Sequence, residues 1–182
     1  MNSKHALKNV TGDPFGESDI LVALQSVATH PAVLPVARGM SHFGEHALGW
    51  LGIAGLGFLA DRPRRAQWFG MGTAAFTSHA ASVILKRIVR RPRPHRGDIH
   101  IGVGTPSALS FPSSHATSTT AGLLYLDHIL GTKCAWVGVP MMMASRMVLG
   151  VHYPTDVTAG ALLGAVTYAV TRPIVEGGSD ER

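Results

Sequence analysis

Charge is scarce in this sequence. Charged residues make up only 15% of the 182 residues, against about 25% in a typical soluble domain. There is a single cysteine, Cys134, so an internal disulfide is excluded. Residues 1–19 lack the apolar core of a cleaved signal peptide, and we expect membrane insertion to come from internal segments. The basic residues have no interleaved aromatics and no nucleic-acid motif, which argues against a nucleic-acid partner.

Apolar and small residues are abundant instead. Hydrophobic residues reach 46% and there are 21 glycines, a profile typical of closely packed membrane helices. Five apolar segments approach the roughly 20 residues that span a bilayer core; they are residues 46–60, 66–85, 115–130, 134–150 and 155–171. The pattern predicts an all-α integral membrane bundle with five or six transmembrane helices in contact with membrane lipids. A soluble all-α protein is the alternative, which the uncharged run 66–85 disfavours.

We expect one domain over residues 1–182. It would have an amphipathic or partly inserted segment (1–40), a catalytic helical core (41–172) and a polar tail (173–182). In the first segment, an apolar spacing that begins at Ile20 is interrupted by two prolines, which predicts a helix broken near Pro31. A full span there is the alternative, and the sequence does not indicate an oligomeric state.

Three polar stretches carry the chemically useful residues. They are Lys86–Pro94, Pro112–His115 and Ser145–Asp156. Successive antiparallel helices return alternate ends to the same side of a bundle. We therefore expect the three stretches to converge at one face of the membrane, although they are far apart in the chain.

The cations in these stretches suit a phosphate group. A phosphoryl group in transfer carries its charge on three equatorial oxygens, and Lys86, Arg93 and Arg146 supply fixed positive charges. The free N–H groups at the start of a helix over Ser113 and Ser114 add an anion cradle. Three cations replace the charge that Mg²⁺ supplies elsewhere, so the pattern predicts no metal and no cofactor.

Two histidines complete the predicted chemistry. His152 would attack phosphorus through a neutral ring nitrogen, and Asp156, four residues further on, would orient the ring. The second histidine, His115, would protonate the leaving oxygen and then activate water. The result is a predicted phosphoryl-transfer site with a histidine nucleophile.

The order and spacing of these residues resemble the signature of the type 2 phosphatidic acid phosphatase (PAP2) superfamily, which is shared with vanadium haloperoxidases. The family pattern runs Lys, six residues, Arg-Pro; then Pro-Ser-Gly-His; then Ser-Arg, five residues, His, three residues, Asp. The chain matches it except at Ser114, where the family has Gly. Serine is small, so we expect the backbone contact to survive unless this position needs a strained backbone angle. The resemblance spans residues 86–156 and, with the apolar layout, about 45–171.

The resemblance implies a metal-independent phosphoric monoester hydrolase that acts on a lipid-linked phosphate. It implies that His152 is the nucleophile, Asp156 its orienting partner and His115 the general acid. The implied phosphate-binding shell consists of Lys86, Arg93, Ser113, Ser114 and Arg146.

A narrower likeness concerns the substrate. The stretches Arg38–Trp50, Gly104–Thr120 and Leu149–Asp156 resemble a branch of the family that acts on a polyprenyl-linked pentose phosphate for cell-wall arabinan. We therefore expect hydrolysis of that terminal phosphomonoester through a phosphohistidine. Phosphatidic acid, phosphatidylglycerophosphate and polyprenyl diphosphate remain alternative substrates. A vanadate-dependent haloperoxidase and a non-catalytic lipid binder or transporter are the alternatives from other classes.

A second polar cluster precedes the first clear apolar segment. His42, Glu45 and His46 match the letters of an H-x-x-E-H zinc motif. No third ligand with suitable spacing follows, so we predict contacts to the substrate head group instead. Ordinary polar residues at a helix end are the alternative reading.

Other basic residues have simpler interpretations. Arg87, Arg90 and Arg91 are expected to contact lipid head groups, and His79 to be a satisfied core histidine. The short basic turn Asp61–Arg65 favours the cytoplasm. The active site, at the opposite ends of the helices, is then predicted on the extracytoplasmic face of the cell membrane.

Overall fold

The computed structural model describes residues 13–28 and 30–177. Single 3-10 turns at Glu45–Ala47 and Arg62–Arg64 precede the third and fourth helices. The described residues contain no β-strand, only an isolated bridge between Pro92 and Leu109. The all-α prediction is confirmed, and the helices are α1 (Ser18–Val27), α2 (Val33–Gly44), α3 (Leu48–Ala60), α4 (Arg65–Val89), α5 (Ser114–Leu130), α6 (Ala135–Val148) and α7 (Pro154–Gly177).

The centre of the bundle is a polar helix. α5 packs against α4, α6 and α7, and its buried face is rich in Ser and Thr. The Ser118 hydroxyl donates to the Ser114 carbonyl at 3.0 Å, and the Thr120 hydroxyl donates to the Ala116 carbonyl at 2.8 Å. Because these donors are satisfied within their own helix, α5 can occupy the core without unpaired hydroxyl groups.

Two glycines of α7 let α5 approach closely. A Cβ atom at Gly160 would lie 2.6 Å from the Ser113 carbonyl oxygen, and one at Gly164 would collide with the Thr117 carbonyl oxygen. Small residues at such a crossing bring two backbones together. The Ser113 N–H also donates to the Asp156 carbonyl at 2.9 Å. The first turns of α5 and α7 are therefore held side by side.

Large apolar side chains cover the outside of the bundle. On α7, Leu162, Val166, Val170 and Ile174 recur every four residues and are between 54% and 70% exposed. A soluble protein does not usually combine so apolar an exterior with a buried helix face that is rich in Ser and Thr. Such a surface suits contact with lipid.

The helices differ in how far they reach. Of the described helices, only α7 is both long and apolar enough to cross a membrane by length and composition. At about 1.5 Å per residue, α3, α5 and α6 rise about 20, 25 and 21 Å, less than the roughly 30 Å hydrocarbon core. Their lengths of 13, 17 and 14 residues explain why no single segment gives an obvious spanning signal.

The N-terminal helices lie at one end of the bundle. α1 ends at Val27 and α2 begins at Val33, so the chain breaks around Pro31 and residues 17–38 do not form one full span. The Gln25 side chain donates to the His100 carbonyl at 2.8 Å and accepts from its N–H at 2.9 Å. Arg38 Nε donates to the Gly102 carbonyl at 2.8 Å. Both helices therefore hold the long loop between α4 and α5.

The predicted segment boundaries fall partly beyond the described residues. Residues 1–12 and 178–182 lie outside them. α7 continues through Pro173 to Gly177, so the helix extends five residues past the predicted core boundary at 172.

Candidate active site

A cavity of about 460 Å³ lies between the end of α4, the start of α5 and the loop before α7. Residues from all three predicted polar stretches line it, so the expected convergence is found. Nine of the eleven predicted site residues line this cavity: His42, Glu45, His46, Lys86, Arg93, Ser114, His115, Arg146 and His152.

Ser113 and Asp156 do not line the cavity; both are fully buried behind it. The Ser113 hydroxyl accepts from Ala116 N–H at 3.5 Å and caps α5, while its own N–H is taken by the Asp156 carbonyl. Ser113 was predicted in the phosphate-binding shell; the structure places it behind the cavity, at the first turn of α5.

Ser114, the departure from the family pattern, is accommodated without strain. The non-glycine residues with positive φ are His46, Ala47 and Arg90 among those described, and Ser114 begins α5 in helical conformation. Its hydroxyl lies 2.7 Å from the Ser82 hydroxyl. Glycine is therefore not required here, and the N–H groups of the first turn of α5 still face the cavity end of the helix.

His152 lies in the loop before α7 with its Nε2 held by Arg93. Arg93 Nη1 lies 3.1 Å from His152 Nε2 and also donates to the Val151 carbonyl at 2.7 Å. A guanidinium only donates, so Nε2 carries the lone pair and the ring proton is on Nδ1. Burial, reinforced by the nearby cations Arg93, Arg146 and Lys86, holds the pKa of His152 well below 6.5. The ring is therefore neutral at neutral pH, as an attacking nitrogen must be.

Asp156 faces the other side of that ring. Its Oδ2 lies 3.6 Å from His152 Nδ1, a distance for electrostatic orientation rather than a formed hydrogen bond. The same oxygen accepts from Tyr153 N–H at 2.8 Å. Its Oδ1 accepts from Arg91 Nη1 at 2.9 Å. The carboxylate is thus fixed from two directions behind the histidine.

Arg91 was expected at lipid head groups, and that prediction is wrong. Its side chain is turned inward, where it pairs with Asp156 and with Glu17 and lies over the Tyr153 ring at 4.1 Å. The Arg91-Pro92 pair sits directly before the motif pair Arg93-Pro94. Only this adjacency in the sequence hinted at a role, and nothing there pointed to Glu17.

His115 is oriented by α2. Its Nε2 lies 2.9 Å from the Ser41 carbonyl oxygen. A carbonyl only accepts, so Nε2 carries a proton and Nδ1 remains for a ligand. A Cβ atom at Gly44 would lie 2.7 Å from the His115 ring, so glycine permits this close packing. Neither Ser41 nor Gly44 was predicted as part of the site.

The three predicted cations are placed differently from one another. Lys86 Nζ donates to the carbonyls of Ser110 and Pro112 at 2.9 and 2.5 Å. Arg93 Nε donates to the Ser107 carbonyl at 2.8 Å, and burial lowers the Arg93 pKa to about 10, so it remains charged at neutral pH. These two cations therefore bind the loop as well as line the cavity.

Arg146 has unused hydrogen-bonding capacity. The residue is only 2% exposed, and its Nε and Nη1 atoms have no hydrogen-bond partner among the described residues. A buried charge normally has a partner because desolvation is costly. A guanidinium with two unpaired groups on the wall of a basic cavity indicates that an anion completes the site.

The cavity mouth is formed where α2 ends. His46 and Ala47 adopt left-handed backbone angles, with φ of 50° and 59°, so His42 and His46 do not share one helix. The His46 ring lies 5.9 Å from that of His79, which lines the cavity rather than the core. No group of three or more His, Cys, Asp or Glu side chains that could hold a metal is found in the described part of the chain.

The fold and cavity define the class of protein as an all-helical bundle with a basic, histidine-containing cavity suited to an anion. The sequence profile of the PAP2 superfamily matches residues 67–177, more than half of the chain, and the chain belongs to that superfamily. The family prediction is confirmed, and with it the assignment of the chain as a phosphoric monoester hydrolase.

Two relatives with high identity to this chain are named as phosphatases. It is 53% identical over 148 residues to decaprenylphosphoryl-5-phosphoribose phosphatase of Mycolicibacterium smegmatis, covering 81% of this chain and 82% of the relative. It is 48% identical over 170 residues to the Mycobacterium tuberculosis protein of the same name, covering 93% and 95%. The crystal structure of a transmembrane PAP2-type phosphatidylglycerolphosphate phosphatase from Bacillus subtilis matches with a TM-score of 0.69 and 24% identity, covering 90% of this chain and 88% of that one. This structural likeness confirms the predicted helical bundle.

Proposed function

We propose that this protein removes the terminal phosphate of decaprenylphosphoryl-5-phosphoribose at the membrane, leaving decaprenylphosphoryl ribose for cell-wall arabinan synthesis. The observation that carries the phosphatase assignment is the buried Arg146 guanidinium, which has two unpaired groups and belongs to the lining of a cavity with two histidines. The choice of substrate rests on the identity of 48% to 53% with proteins of that name. The phosphodiester of the same lipid stays intact.

In the first step, His152 Nε2 attacks phosphorus and the bond from phosphorus to the ribose 5-oxygen breaks. The lone pair on Nε2 is available once Arg93 moves from the ring to a phosphate oxygen. Asp156 stabilises the positive charge that develops on the ring. Arg146 and the N–H groups at the start of α5 bind the equatorial oxygens. The product is a phosphohistidine.

His115 transfers the protons in both steps. Because Nε2–H already donates to the Ser41 carbonyl, the other nitrogen, Nδ1, takes the proton of a singly ionised phosphate ester as that ester binds, and passes it to the leaving oxygen. The neutral ring then takes a proton from water at Nδ1 as that water attacks the phosphohistidine. Inorganic phosphate leaves, and both histidines return to their starting states.

The cavity mouth provides groups for the sugar. His42, Glu45 and His46 line the cavity, and the Glu45 carboxylate is 48% exposed. A carboxylate accepts hydrogen bonds from sugar hydroxyl groups, and imidazole can donate or accept. These three residues are proposed to contact the ribose ring.

The lipid tail has a groove beside the cavity. Val33, Val36 and Met40 of α2 face Met141 and Ala144 of α6 across an apolar groove of about 300 Å³. The groove also includes Ser145, the neighbour of Arg146. Because Ser145 lines the groove and Arg146 lines the cavity, we assign the groove to the first part of a prenyl tail whose head group reaches Arg146.

The membrane arrangement follows from the bundle. We propose that α3 to α7 cross the membrane and that the whole chain, 1–182, is one PAP2 domain with its core at 41–172. The basic turn Arg62–Arg64 lies at the end of the bundle opposite the cavity, which supports a cytoplasmic turn and an extracytoplasmic active site. A reporter fused after the end of α7 tests this orientation: green fluorescent protein is expected to fluoresce there, and alkaline phosphatase to be inactive.

The function is tested with purified protein in detergent and chelator. Release of phosphate from decaprenylphosphoryl-5-phosphoribose, phosphatidic acid and phosphatidylglycerophosphate is compared, with His152→Ala as the control. We expect the pentose phosphate lipid to be hydrolysed with the highest kcat/KM, and His152→Ala to release none. Phosphatidic acid as the better substrate would overturn the substrate assignment, and an active His152→Ala protein would overturn the mechanism.

A further inference from the structure

We propose that Glu17, which directly precedes helix α1, is a positioning residue that acts through Arg91 on the His152–Asp156 pair. This inference rests on the proposed function. It adds Glu17, which lies outside every catalytic motif of the sequence, and Arg91, which occupies one of the six unspecified positions between Lys86 and Arg93.

The connection is a continuous row of short contacts. Asp156 Oδ1 accepts from Arg91 Nη1 at 2.9 Å, and Arg91 Nη2 donates to Glu17 Oε2 at 2.6 Å. Glu17 Oε1 accepts from Thr155 N–H at 2.7 Å, and Oε2 lies 2.8 Å from the Thr155 hydroxyl. Glu17 therefore binds both Arg91 and the first turn of α7, the helix that carries Asp156.

Burial makes these contacts specific. The side chains of Arg91, Glu17 and Asp156 are 10%, 6% and 0% exposed. Charges this far from water interact strongly, and a buried charge that loses its partner is strongly destabilising. A surface ion pair, by contrast, contributes little.

The signs of the charges give Glu17 its function. Arg91 alone beside Asp156 would neutralise the carboxylate that has to stabilise a positive ring at His152. With Glu17 on the other side, and Asp13 also interacting electrostatically with Arg91, the positive charge of Arg91 is more than balanced and negative charge remains at Asp156. Asp156 is then held in place by Arg91 while its charge stays available to the histidine.

α1 has a second attachment that serves as a matched control. Arg96 Nη1 pairs with Asp19 at 2.7 Å, also joining α1 to the loop between α4 and α5. The Asp19 side chain is 80% exposed and does not contact Asp156. Removing this ion pair loosens α1 in a similar way but leaves the charge balance behind His152 unchanged.

The test compares Glu17→Gln with Asp19→Asn in steady-state hydrolysis of the pentose phosphate lipid. Glutamine keeps the shape of Glu17 and an oxygen for Thr155, but removes the charge. We expect Glu17→Gln to lower kcat about 10- to 100-fold, as for other outer-shell partners, with KM changed less than about twofold. Asp19→Asn should leave both parameters at the wild-type values.

A double variant separates charge balance from simple attachment. In Glu17→Gln with Arg91→Gln, the positive charge is removed too, so kcat should recover towards wild type relative to Glu17→Gln alone. If Glu17 only attached α1 to the bundle, the double variant would have a kcat no higher than that of the slower single variant. That result overturns the inference. If the wild-type protein is active and Glu17→Gln has the same kcat as Asp19→Asn, the inference is also overturned. A wild-type protein that releases no phosphate from any lipid overturns the proposed function itself.

Discussion

Replacing Arg146 with methionine should stabilise the empty protein while destroying its affinity for phosphate. Two buried N–H-bearing atoms of Arg146, Nε and Nη1, have no partner among the described residues. Each unsatisfied buried donor costs about 1–3 kcal/mol, so Arg146→Met relieves up to about 6 kcal/mol. Methionine is unbranched and of similar length, and it fills the space without a charge. The free energy of unfolding without ligand should therefore rise, or at least not fall.

The same change removes the anion contacts. Hydrogen bonds to a charged group contribute about 1.5–3 kcal/mol each, so losing two of them costs about 3–6 kcal/mol of binding. At about 1.4 kcal/mol per tenfold, vanadate, a phosphate mimic, should bind about 10² to 10⁴ times more weakly. Stability and function thus move in opposite directions at one residue.

The assay is thermal unfolding in detergent with and without vanadate. Vanadate should raise the Tm of the wild type but not that of Arg146→Met, whose Tm without vanadate should match or exceed the wild-type value. Arg87→Met is the matched control, because Arg87 also lines the cavity but is exposed. An Arg146→Met protein that melts well below the wild type without anion, or keeps vanadate affinity within tenfold, would refute the reasoning.

Three further outcomes follow from the structure. Since burial holds the pKa of His152 below 6.5, its ring stays neutral on mild acidification, and the acidic fall of kcat/KM should lie below about pH 6.5; a fall centred above that value contradicts the assignment. Ala144→Trp fills the apolar groove and should raise KM for the polyprenyl lipid but not for a short water-soluble phosphate ester; equal effects on both exclude the groove. Gly164→Ala should lower the free energy of unfolding by about 1–3 kcal/mol, because the added methyl group collides with Thr117. The measurement is Tm, and the control is Gly55→Ala, whose methyl group meets open space and should leave Tm unchanged or raise it.

The cavity residues were predictable because their motifs are local. Lys86, Arg93, His115 and His152 stand at fixed spacings beside helix ends, and antiparallel helices return those ends to one side. The same argument did not distinguish Ser113 from Ser114. Which of two adjacent residues caps a helix depends on where its first turn begins, and that is decided by packing against α7.

The supporting residues were missed because their partners are distant in the chain. Glu17 and Arg91 are separated by 74 positions, and so are Ser41 and His115. A glutamate near the N-terminus and a carbonyl group carry no signal of their own in a sequence. Only the placement of α1 and α2 over the end of the bundle brings them to the histidines.

The membrane helices were hard to delimit for a related reason. Their inner faces carry Ser, Thr, His and Lys, so the average hydropathy of each helix understates how apolar its outer face is. α4 has 25 residues, about 37 Å at 1.5 Å per residue, yet its inner face includes Ser78, Ser82 and Lys86. The sequence predicted the number of apolar segments better than it predicted their ends.

Arg93 Nη1 lies on His152 Nε2, so under the proposed mechanism Arg93 controls which ligands can reach the nucleophile. A neutral electrophile that drifts into the cavity meets a nucleophile already covered by a cation. Only a ligand with anionic oxygens offers that cation a better partner and uncovers the ring. Selection for phosphate is thus exercised before any bond is made, by the same side chain that later holds the group being transferred.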